Sequence, residues 1–261
     1  MAKRSMTQFE ALPEHQALVD GMNTLALGRI AAATPIEVLS TRGDKLLQVV
    51  QEYDGRRFVT RSFTDEAVRN SEHGLDFRQA WDAMHEVFSG DGVAVVPSIL
   101  LTAGGEYPFI AVSEHITDSI PVIEAPTSLK IKLATHLGGL LKPQSGYTPT
   151  LEMVNAGMFT VIKDDRGEYK ALMVDVDPHI TRMNMDKNHY LTDNINAHYI
   201  KKLGELFWNK WCREDEREEV LEALVRSIAD AVLDDPDSTN TFAAFLEIHH
   251  MSQGLNPEQV V

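Results

Sequence analysis

Two aspartates follow a predicted β-hairpin in the second half of the chain, where they could bind a cation. Residues 158–180 contain two apolar runs joined by turn residues at 164–167, which predicts two antiparallel strands. Asp175 and Asp177 stand at the end of the second run, and Pro178 stops the strand there. Alternate side chains of a strand share one face, so both carboxylates lie on the same side. The pattern predicts either a cation site or a solvated strand end.

The ligand chemistry of such a site favours a hard cation, because carboxylate oxygens suit Mg2+. His179 comes two residues after Asp177. A metal set of Asp175, Asp177 and His179 is therefore a further hypothesis, although the turn predicted at Pro178 would break the alternation. The alternative is that the two acids cap backbone amides or meet water.

The composition is that of an ordinary globular protein and restricts the classes of partner. The 261 residues are 43% hydrophobic and 24% charged, enough for one large domain or two lobes with a sizeable core. The formal net charge of −15 opposes a phosphate backbone and an anionic membrane surface. We therefore expect neither nucleic acid nor a membrane as the partner, which leaves a small molecule or a protein.

Cysteine content and hydropathy predict a cytoplasmic location. Cys212 is the single cysteine, which excludes an intrachain disulfide and a thiolate metal cluster, and we expect it to be a buried structural thiol. Residues 1–15 lack the apolar stretch of a signal peptide, and no apolar run reaches the length of a membrane span.

The order of predicted elements divides the chain into four parts and predicts an α+β fold. They are an N-terminal helical extension at 1–34, a β-rich part at 35–120, a mainly helical part at 121–252 that carries the hairpin, and a tail at 253–261. The predicted strands of the β-rich part are 36–40, 46–53, 57–63, 93–102 and 108–114. The predicted helices are 15–33, 76–88, 128–141, 196–211, 217–233 and 241–250.

Four segments occur in an order that is typical of a known family. Residues 57–63 (RFVTRSF) resemble its third strand, 76–88 the helix after it, and 108–116 the strand that leads to its hinge. Residues 173–177 (MVDVD) take the place of its metal-binding aspartate motif. Together these segments resemble a protein-kinase-like fold of the aminoglycoside phosphotransferase and choline kinase branch. The resemblance implies two lobes, an N-terminal antiparallel β lobe with an inserted helix and a mainly helical C-terminal lobe, with ATP and Mg2+ as cofactors.

The resemblance also gives the candidate residues of the helical lobe their roles. Asp175 is favoured over Asp177 as the metal ligand. Such enzymes need a histidine–x–aspartate, followed five residues later by an asparagine, just before the hairpin. Glu152 stands in the place of that aspartate and is the candidate catalytic base, whereas Gly157 stands in the place of the asparagine. Asn155 reaches the metal if the loop is shifted by two residues.

The β lobe departs from the family as well. Arg61 or Thr60 stands where the third-strand lysine is expected, and Arg61 is the candidate nucleotide-binding residue because its charge can neutralise phosphate. Its alternative role is a salt bridge to Asp82 or Glu86 of the following helix. Gly43 is the single glycine near the first hairpin, so a Gly-rich phosphate loop is not expected there.

These departures leave three hypotheses for the function. The first is a pseudokinase that keeps the kinase-like fold and acts by binding a small molecule or a protein. The second is an atypical Mg-dependent phosphotransferase that uses Glu152, Asn155 and Asp175 to move a phosphoryl group from ATP to a small hydroxyl or amine compound. The third is an unrelated α+β regulatory or scaffolding module whose strand order matches the kinase lobe by chance. For Glu152 itself, the alternative to catalysis is an ordinary surface carboxylate. Whether the protein is an enzyme is thus left open.

Overall fold

The computed structural model divides the chain into two compact units. It describes residues 6–10, 30, 33–41, 46–53, 55–63, 77–103, 109–141, 147–149, 155–164, 166–175, 180–182, 189–232 and 238–254. The first unit comprises Met1–Asp82 and Val96–Thr117, and the second comprises Ala83–Val95 and Asp118–Val261. Strands dominate the first unit and helices the second, which confirms the predicted α+β class. The four-part division of the chain stays a prediction.

The bounds of the described elements are as follows. The strands are β1 (Met6–Glu10), β2 (Glu37–Thr41), β3 (Leu46–Tyr53), β4 (Arg56–Phe63), β5 (Val93–Val95), β6 (Ser98–Ala103), β7 (Phe109–Glu114), β8 (Ile120–Pro121), β9 (Tyr147–Pro149), β10 (Phe159–Lys163), β11 (Tyr169–Met173) and β12 (Ile180–Arg182). The α-helices are α1 (Phe77–Val87), α2 (Thr127–Gly139), α3 (His189–Leu206), α4 (Arg217–Val232) and α5 (Thr239–Ser252). The helix predicted at 15–33 lies almost entirely outside the described residues.

The first unit contains a six-stranded antiparallel sheet in the order β1-β6-β7-β4-β3-β2. Strands β3 and β4 form the predicted hairpin, in which Tyr53 pairs with Arg56 and Gly55 has a φ of 74° that an L-residue rarely adopts. On its other side β4 pairs with β7, from Phe58 opposite Glu114 to Phe63 opposite Phe109. Strand β4 is therefore an interior strand, hydrogen-bonded along both edges.

Helix α1 begins against one face of this sheet. The ring of Phe77 lies 4.9 Å from that of Phe63 on β4 and 4.9 Å from that of Phe109 on β7. The ring of Trp81, one turn further along, lies 6.4 Å from that of Phe63. Side chains of a strand alternate between faces, so Arg61 lies on the same face of β4 as Phe63. The first turns of α1 therefore cover the face of β4 that carries Arg61.

The single strand predicted at 93–102 is wrong, because the structure has two strands there. Strand β5 ends at Val95 and β6 begins at Ser98. Pro97 lies between them and has no backbone N–H to donate to a ladder, which favours a break. Strand β5 pairs in parallel with β11 of the second unit, whereas β6 pairs with β7 of the first.

The second unit contains the predicted hairpin of β10 and β11 in a four-stranded sheet of order β5-β11-β10-β8. The hairpin has five registered pairs, from Phe159 opposite Met173 to Lys163 opposite Tyr169. Its turn has Gly167 at a φ of 79°. Strand β11 ends at Met173, so the placement of Asp175 within the strand is wrong, and Asp175 follows the strand instead.

The remainder of the second unit is mainly helical. Its core is made by apolar side chains of α2, α3 and α4 that are fully excluded from solvent, namely Leu133, Leu137, Ile200, Leu203, Val220, Leu221, Leu224 and Ile228. The helix predicted at 196–211 begins earlier, at His189, and its last five residues, Phe207–Trp211, form a π-helical segment instead of an α-helical one. None of the described helices is both long enough and apolar enough to span a membrane.

Candidate functional site

Two of the predicted metal ligands, Asn155 and Asp175, lie at the same end of the β10–β11 hairpin. Beyond the last registered pair, the backbone N–H of Val174 donates to the carbonyl oxygen of Met158 at 2.9 Å. The N–H of Met158 in turn donates to the carbonyl oxygen of Asn155 at 3.1 Å. These two bonds place the Asn155 turn (residues 155–158) beside the residue that immediately follows Val174, which is Asp175.

The side chain of Asn155 closes its own turn. Its Oδ1 accepts a hydrogen bond from the backbone N–H of Gly157 at 2.9 Å. An amide oxygen has two lone pairs, so this oxygen retains one acceptor position. Asn155 and Asp175 are both half-buried.

The side chains of Asn155 and Asp175 are of the type, and present in the number, that suit a magnesium ion. Mg2+ is usually held by one or two protein carboxylates together with waters and substrate phosphates, and it prefers oxygen ligands. Asn155 and Asp175 supply one amide and one carboxylate side chain of this type. Within the described residues, no group of three or more His, Cys, Asp or Glu side chains is arranged to hold a metal. Asp177, Glu152 and His179 lie outside those residues, so their predicted roles stay predictions.

The acidic residue at the other end of the hairpin has a structural role. Asp164 accepts hydrogen bonds from the backbone N–H groups of Arg166 at 2.9 Å and Glu168 at 3.0 Å, and it forms an ion pair with Lys170 at 3.1 Å. The backbone bond from Glu168 and the bond from Lys170 lower the pKa of the Asp164 carboxyl. Its oxygens hold the turn, which confirms that these residues form the predicted turn between the strands.

Trp211 contacts the Asn155 turn and was not predicted as a functional residue. Its Nε1–H donates to the carbonyl oxygen of Ala156 at 3.3 Å. Its ring lies edge-on to Phe159 at 6.1 Å and to Phe207 at 5.0 Å. A contact with a turn 55 residues earlier leaves no local signal in the sequence.

Arg61, the predicted nucleotide-binding residue, belongs to the first unit and is 3% exposed. It lies in the middle of β4, opposite Gln48 of β3 and Ala111 of β7. The structure therefore places it in the interior of the sheet, on the face that α1 covers. Its roles toward a nucleotide or toward Asp82 or Glu86 stay predictions.

Cys212 follows Trp211 and is buried, as predicted. Burial, together with the charge of Glu216, raises the pKa of its thiol to about 12. The thiol is therefore protonated at neutral pH and is not a nucleophile. This confirms the expectation of a structural cysteine.

The fold of this chain is similar to that of a known structure. WaaP, a kinase-like protein solved in complex with acyl carrier protein, matches with a TM-score of 0.51 at 12% sequence identity, over 95% of this chain and 99% of that chain. The protein has a protein-kinase-like fold. No protein-family model and no curated protein matches the sequence.

Two further solved structures are similar to this kinase-like chain. The Rio2 kinase–ADP/Mg2+–phosphoaspartate complex from Chaetomium thermophilum has a TM-score of 0.40 at 12% identity and covers 90% of this chain and 77% of that one. The MAP kinase LmaMPK10 from Leishmania major has a TM-score of 0.38 at 9% identity and covers 94% of this chain and 85% of that one. The WaaP match confirms the predicted kinase-like fold, whereas the branch and the altered site stay predictions.

Proposed function

We propose that the protein is a pseudokinase that acts by binding, and that Asn155 and Asp175 hold Mg2+ in it. The observation that supports this proposal is the pair of backbone bonds at the hairpin end, which brings the turn that carries the Asn155 amide beside Asp175 and its carboxylate. A bound Mg2+ would supply the positive charge to which phosphate oxygens of ATP bind. Asp177 is the second carboxylate proposed for the same ion.

Loss of phosphoryl transfer is the second part of the proposal. Phosphoryl transfer depends almost entirely on positioning and on charge stabilisation, so each missing group lowers the rate of transfer by a large factor. Gly157 has no side chain with which to hold a second ion, and its N–H is already bonded to Asn155. In the β lobe, the buried Arg61 carries a planar guanidinium where a lysine ammonium is expected, and this exchange is not conservative.

The binding partner that we propose is a small molecule or a protein. The net charge of −15 favours a cationic small molecule or a basic protein surface. The WaaP structure holds acyl carrier protein, which shows for that protein that a kinase-like fold can take a protein partner.

An atypical Mg-dependent phosphotransferase is the second candidate. The same hairpin end favours it, because the backbone bonds of Met158 and Val174 bring the Asn155 turn beside Asp175, and both residues carry oxygen ligands of the kind that Mg2+ prefers. In this case Glu152 would accept the proton of a small hydroxyl or amine substrate. The third hypothesis, a module whose strand order is kinase-like by coincidence, is not the one we propose, because the fold match extends over 95% of the chain.

Calorimetric titration of Mg2+ into the full-length protein, with and without ATP, tests the cation site. The variant Asp175→Asn removes the proposed ligand charge, and Asp91→Asn is the matched control because Asp91 is an exposed carboxylate of the same unit. We expect saturable binding in wild type and in Asp91→Asn, and binding at least about tenfold weaker in Asp175→Asn. Equal affinity in wild type and Asp175→Asn would contradict the site, as would equal losses in both variants.

A further inference from the structure

We propose that Trp211 is a positioning residue that sets the orientation of Asn155 through the backbone of the Asn155 turn. This inference rests on the proposed function, in which Asn155 is a ligand of Mg2+ and its orientation therefore matters. The hydrogen bond from Trp211 to the turn lies within the chain itself, so it can be tested without a bound ion.

The tip of the turn has little packing to hold it, although Met158 at its end is buried. Ala156 and Gly157 are both exposed. The bonds within the turn are the two accepted by Asn155, at its Oδ1 from Gly157 and at its carbonyl oxygen from Met158. The indole N–H of Trp211 adds a bond from a distant helix end to the carbonyl of Ala156, at the centre of the turn.

Trp211 itself is held firmly. It is 2% exposed, and its ring meets the edges of two other buried aromatic rings, Phe159 and Phe207. Such edge-to-face pairs stabilise a buried ring beyond the area that they bury. Phe159 is also the first residue of β10, so the indole is fixed against the same hairpin whose end it binds.

The π-helical segment directs the indole toward the turn. The N–H of Cys212 donates to the carbonyl oxygen of Phe207 at 3.1 Å, which is an i to i+5 bond. A π turn contains one more residue than an α turn, and each residue of a helix rotates the chain by about 100°. The extra residue therefore changes the direction of the side chain that ends the segment, Trp211. Such single π turns are rare in helices and occur frequently at functional sites.

Trp208 provides a matched control within the same five residues. Its ring packs under the guanidinium of Arg217 at 5.1 Å. It is half-buried, whereas Trp211 is fully buried. Replacing either tryptophan by phenylalanine keeps an aromatic ring and removes an indole N–H, but only Trp211 donates to the Asn155 turn among the described contacts.

Amide hydrogen exchange of the full-length protein, measured without metal, tests the geometry. In Trp211→Phe we expect the amides of Gly157 and Met158 to exchange about threefold to tenfold faster than in wild type, the factor typical of one lost hydrogen bond. In Trp208→Phe we expect them to be unchanged. Unchanged exchange in Trp211→Phe, or equal acceleration in both variants, would overturn the inference.

Magnesium affinity in a double-mutant cycle tests whether Trp211 acts through Asn155. We expect Trp211→Phe to weaken Mg2+ binding about threefold to tenfold, and to have no further effect once Asn155 is replaced by alanine. A merely structural role predicts additive losses, which would overturn the inference. If wild type binds no Mg2+, the proposed function fails, while the hydrogen-exchange result still decides the role of Trp211.

A measurement on wild type covers the case in which Trp211→Phe does not fold. In the 15N-labelled protein, the indole N–H of Trp211 is expected to exchange with solvent more slowly than that of Trp208. The chain has three tryptophans, so the resonance of Trp211 is assigned as the one that persists in both Trp208→Phe and Trp81→Phe. An indole N–H of Trp211 that exchanges as fast as that of Trp208 would overturn the inference.

Discussion

Lys130 and Glu216 form an ion pair in the interior of the second unit, with Lys130 fully buried and Glu216 4% exposed. Lys130 also donates to the carbonyl oxygen of Ile123 at 2.7 Å. Glu216 accepts two more bonds, from the Thr127 hydroxyl and from the backbone N–H of Arg213, each at 2.8 Å. The pair therefore ties helix α2 to the 3-10 turn Glu214–Glu216, which joins the Trp211 segment to α4.

Replacing Lys130 by methionine tests how much this pair contributes. The change leaves a buried carboxylate without its cation, so we expect the free energy of unfolding to fall by about 3–5 kcal/mol. Lys132→Met is the control, because Lys132 is 47% exposed and pairs with Asp91, which is 84% exposed. We expect its effect to be below about 1 kcal/mol. Similar losses in the two variants in urea unfolding would show that burial does not set the effect.

Asp193 predicts a pH dependence of stability. Its carboxylate caps α5 by accepting bonds from the backbone N–H groups of Asn240 at 3.0 Å and Thr241 at 2.7 Å. Burial by itself raises the pKa of Asp193, but these hydrogen bonds outweigh it and hold the pKa below its ordinary value of 3.8. Because the native pKa is lowered, the stability that the carboxylate contributes is present above pH 3.8 and is lost as the pH falls through the native pKa.

Asp193→Asn removes this titration. We expect the variant to unfold with a free energy about 1 kcal/mol lower than wild type near neutral pH. The difference should shrink as the pH falls below 3.8. Urea unfolding of both proteins across this range measures it, and a difference that does not change with pH would contradict the prediction.

Gly204 permits α3 to approach α5 closely. A Cβ at Gly204 would lie 2.8 Å from Cγ1 and 3.0 Å from Cδ1 of Ile248, which is too close for a carbon contact. We expect Gly204→Ala to lower the free energy of unfolding by about 1–3 kcal/mol, although alanine favours helix. At Gly139, in contrast, the nearest such atom is Ser227 Oγ at 3.6 Å, so Gly139→Ala should leave stability unchanged or slightly higher. A thermal melt in which Gly139→Ala lowers the melting temperature more than Gly204→Ala does would refute this account.

Arg61 and Arg56 differ in burial within one strand. Truncating the buried Arg61 to alanine removes a long side chain from the interior face of β4. We expect the free energy of unfolding to fall by about 2–4 kcal/mol. Arg56 pairs with Glu114 at 2.9 Å on the surface, and both side chains are more than 40% exposed. We therefore expect Arg56→Ala to lower the free energy of unfolding by about 1 kcal/mol or less. Equal losses in chemical denaturation would mean that Arg61 is not packed as the structure has it.

The elements that could be predicted from the sequence are those with strong local signals. The β10–β11 hairpin has two apolar runs and a turn with Asp164 and Gly167, and the β3–β4 hairpin has Gly55 between two alternating strands. The α+β class and the kinase-like order of elements follow from such local patterns. They need no knowledge of which side chains meet.

The features that could not be predicted depend on contacts between distant parts of the chain. Strand β1 is short and polar, and its pairing with β6 joins residues about 90 positions apart. The three residues of β5 pair in parallel with β11, and a parallel pair leaves no turn signal. The contact of Trp211 with Ala156 and the pair of Lys130 with Glu216 span 55 and 86 residues. The hydrophobic periodicity and the secondary-structure propensity of a sequence carry no information about such pairs.

The candidate site was predictable in part for the same reason. Asp175 is a candidate because it follows a recognisable strand, and Asn155 is a candidate only if the loop before the hairpin is shifted by two residues from the family's spacing. Only the backbone bonds of Met158 and Val174 show that the two residues lie at one end of the hairpin. The residue that contacts the Asn155 turn, Trp211, ends a π-helical segment, and such a segment has no sequence signature.

The most direct test of the central claim is to measure Mg2+ binding and ADP formation on the same sample. Wild type and Arg61→Lys are incubated with ATP, Mg2+ and a panel of small alcohols and amines. Mg2+ binding is followed by calorimetry and ADP by phosphorus NMR. We predict saturable Mg2+ binding with no ADP above the protein-free blank in either protein, because Gly157 cannot supply the missing ligand even when the lysine is restored. Sustained ADP formation by wild type would contradict the account and establish the phosphotransferase instead.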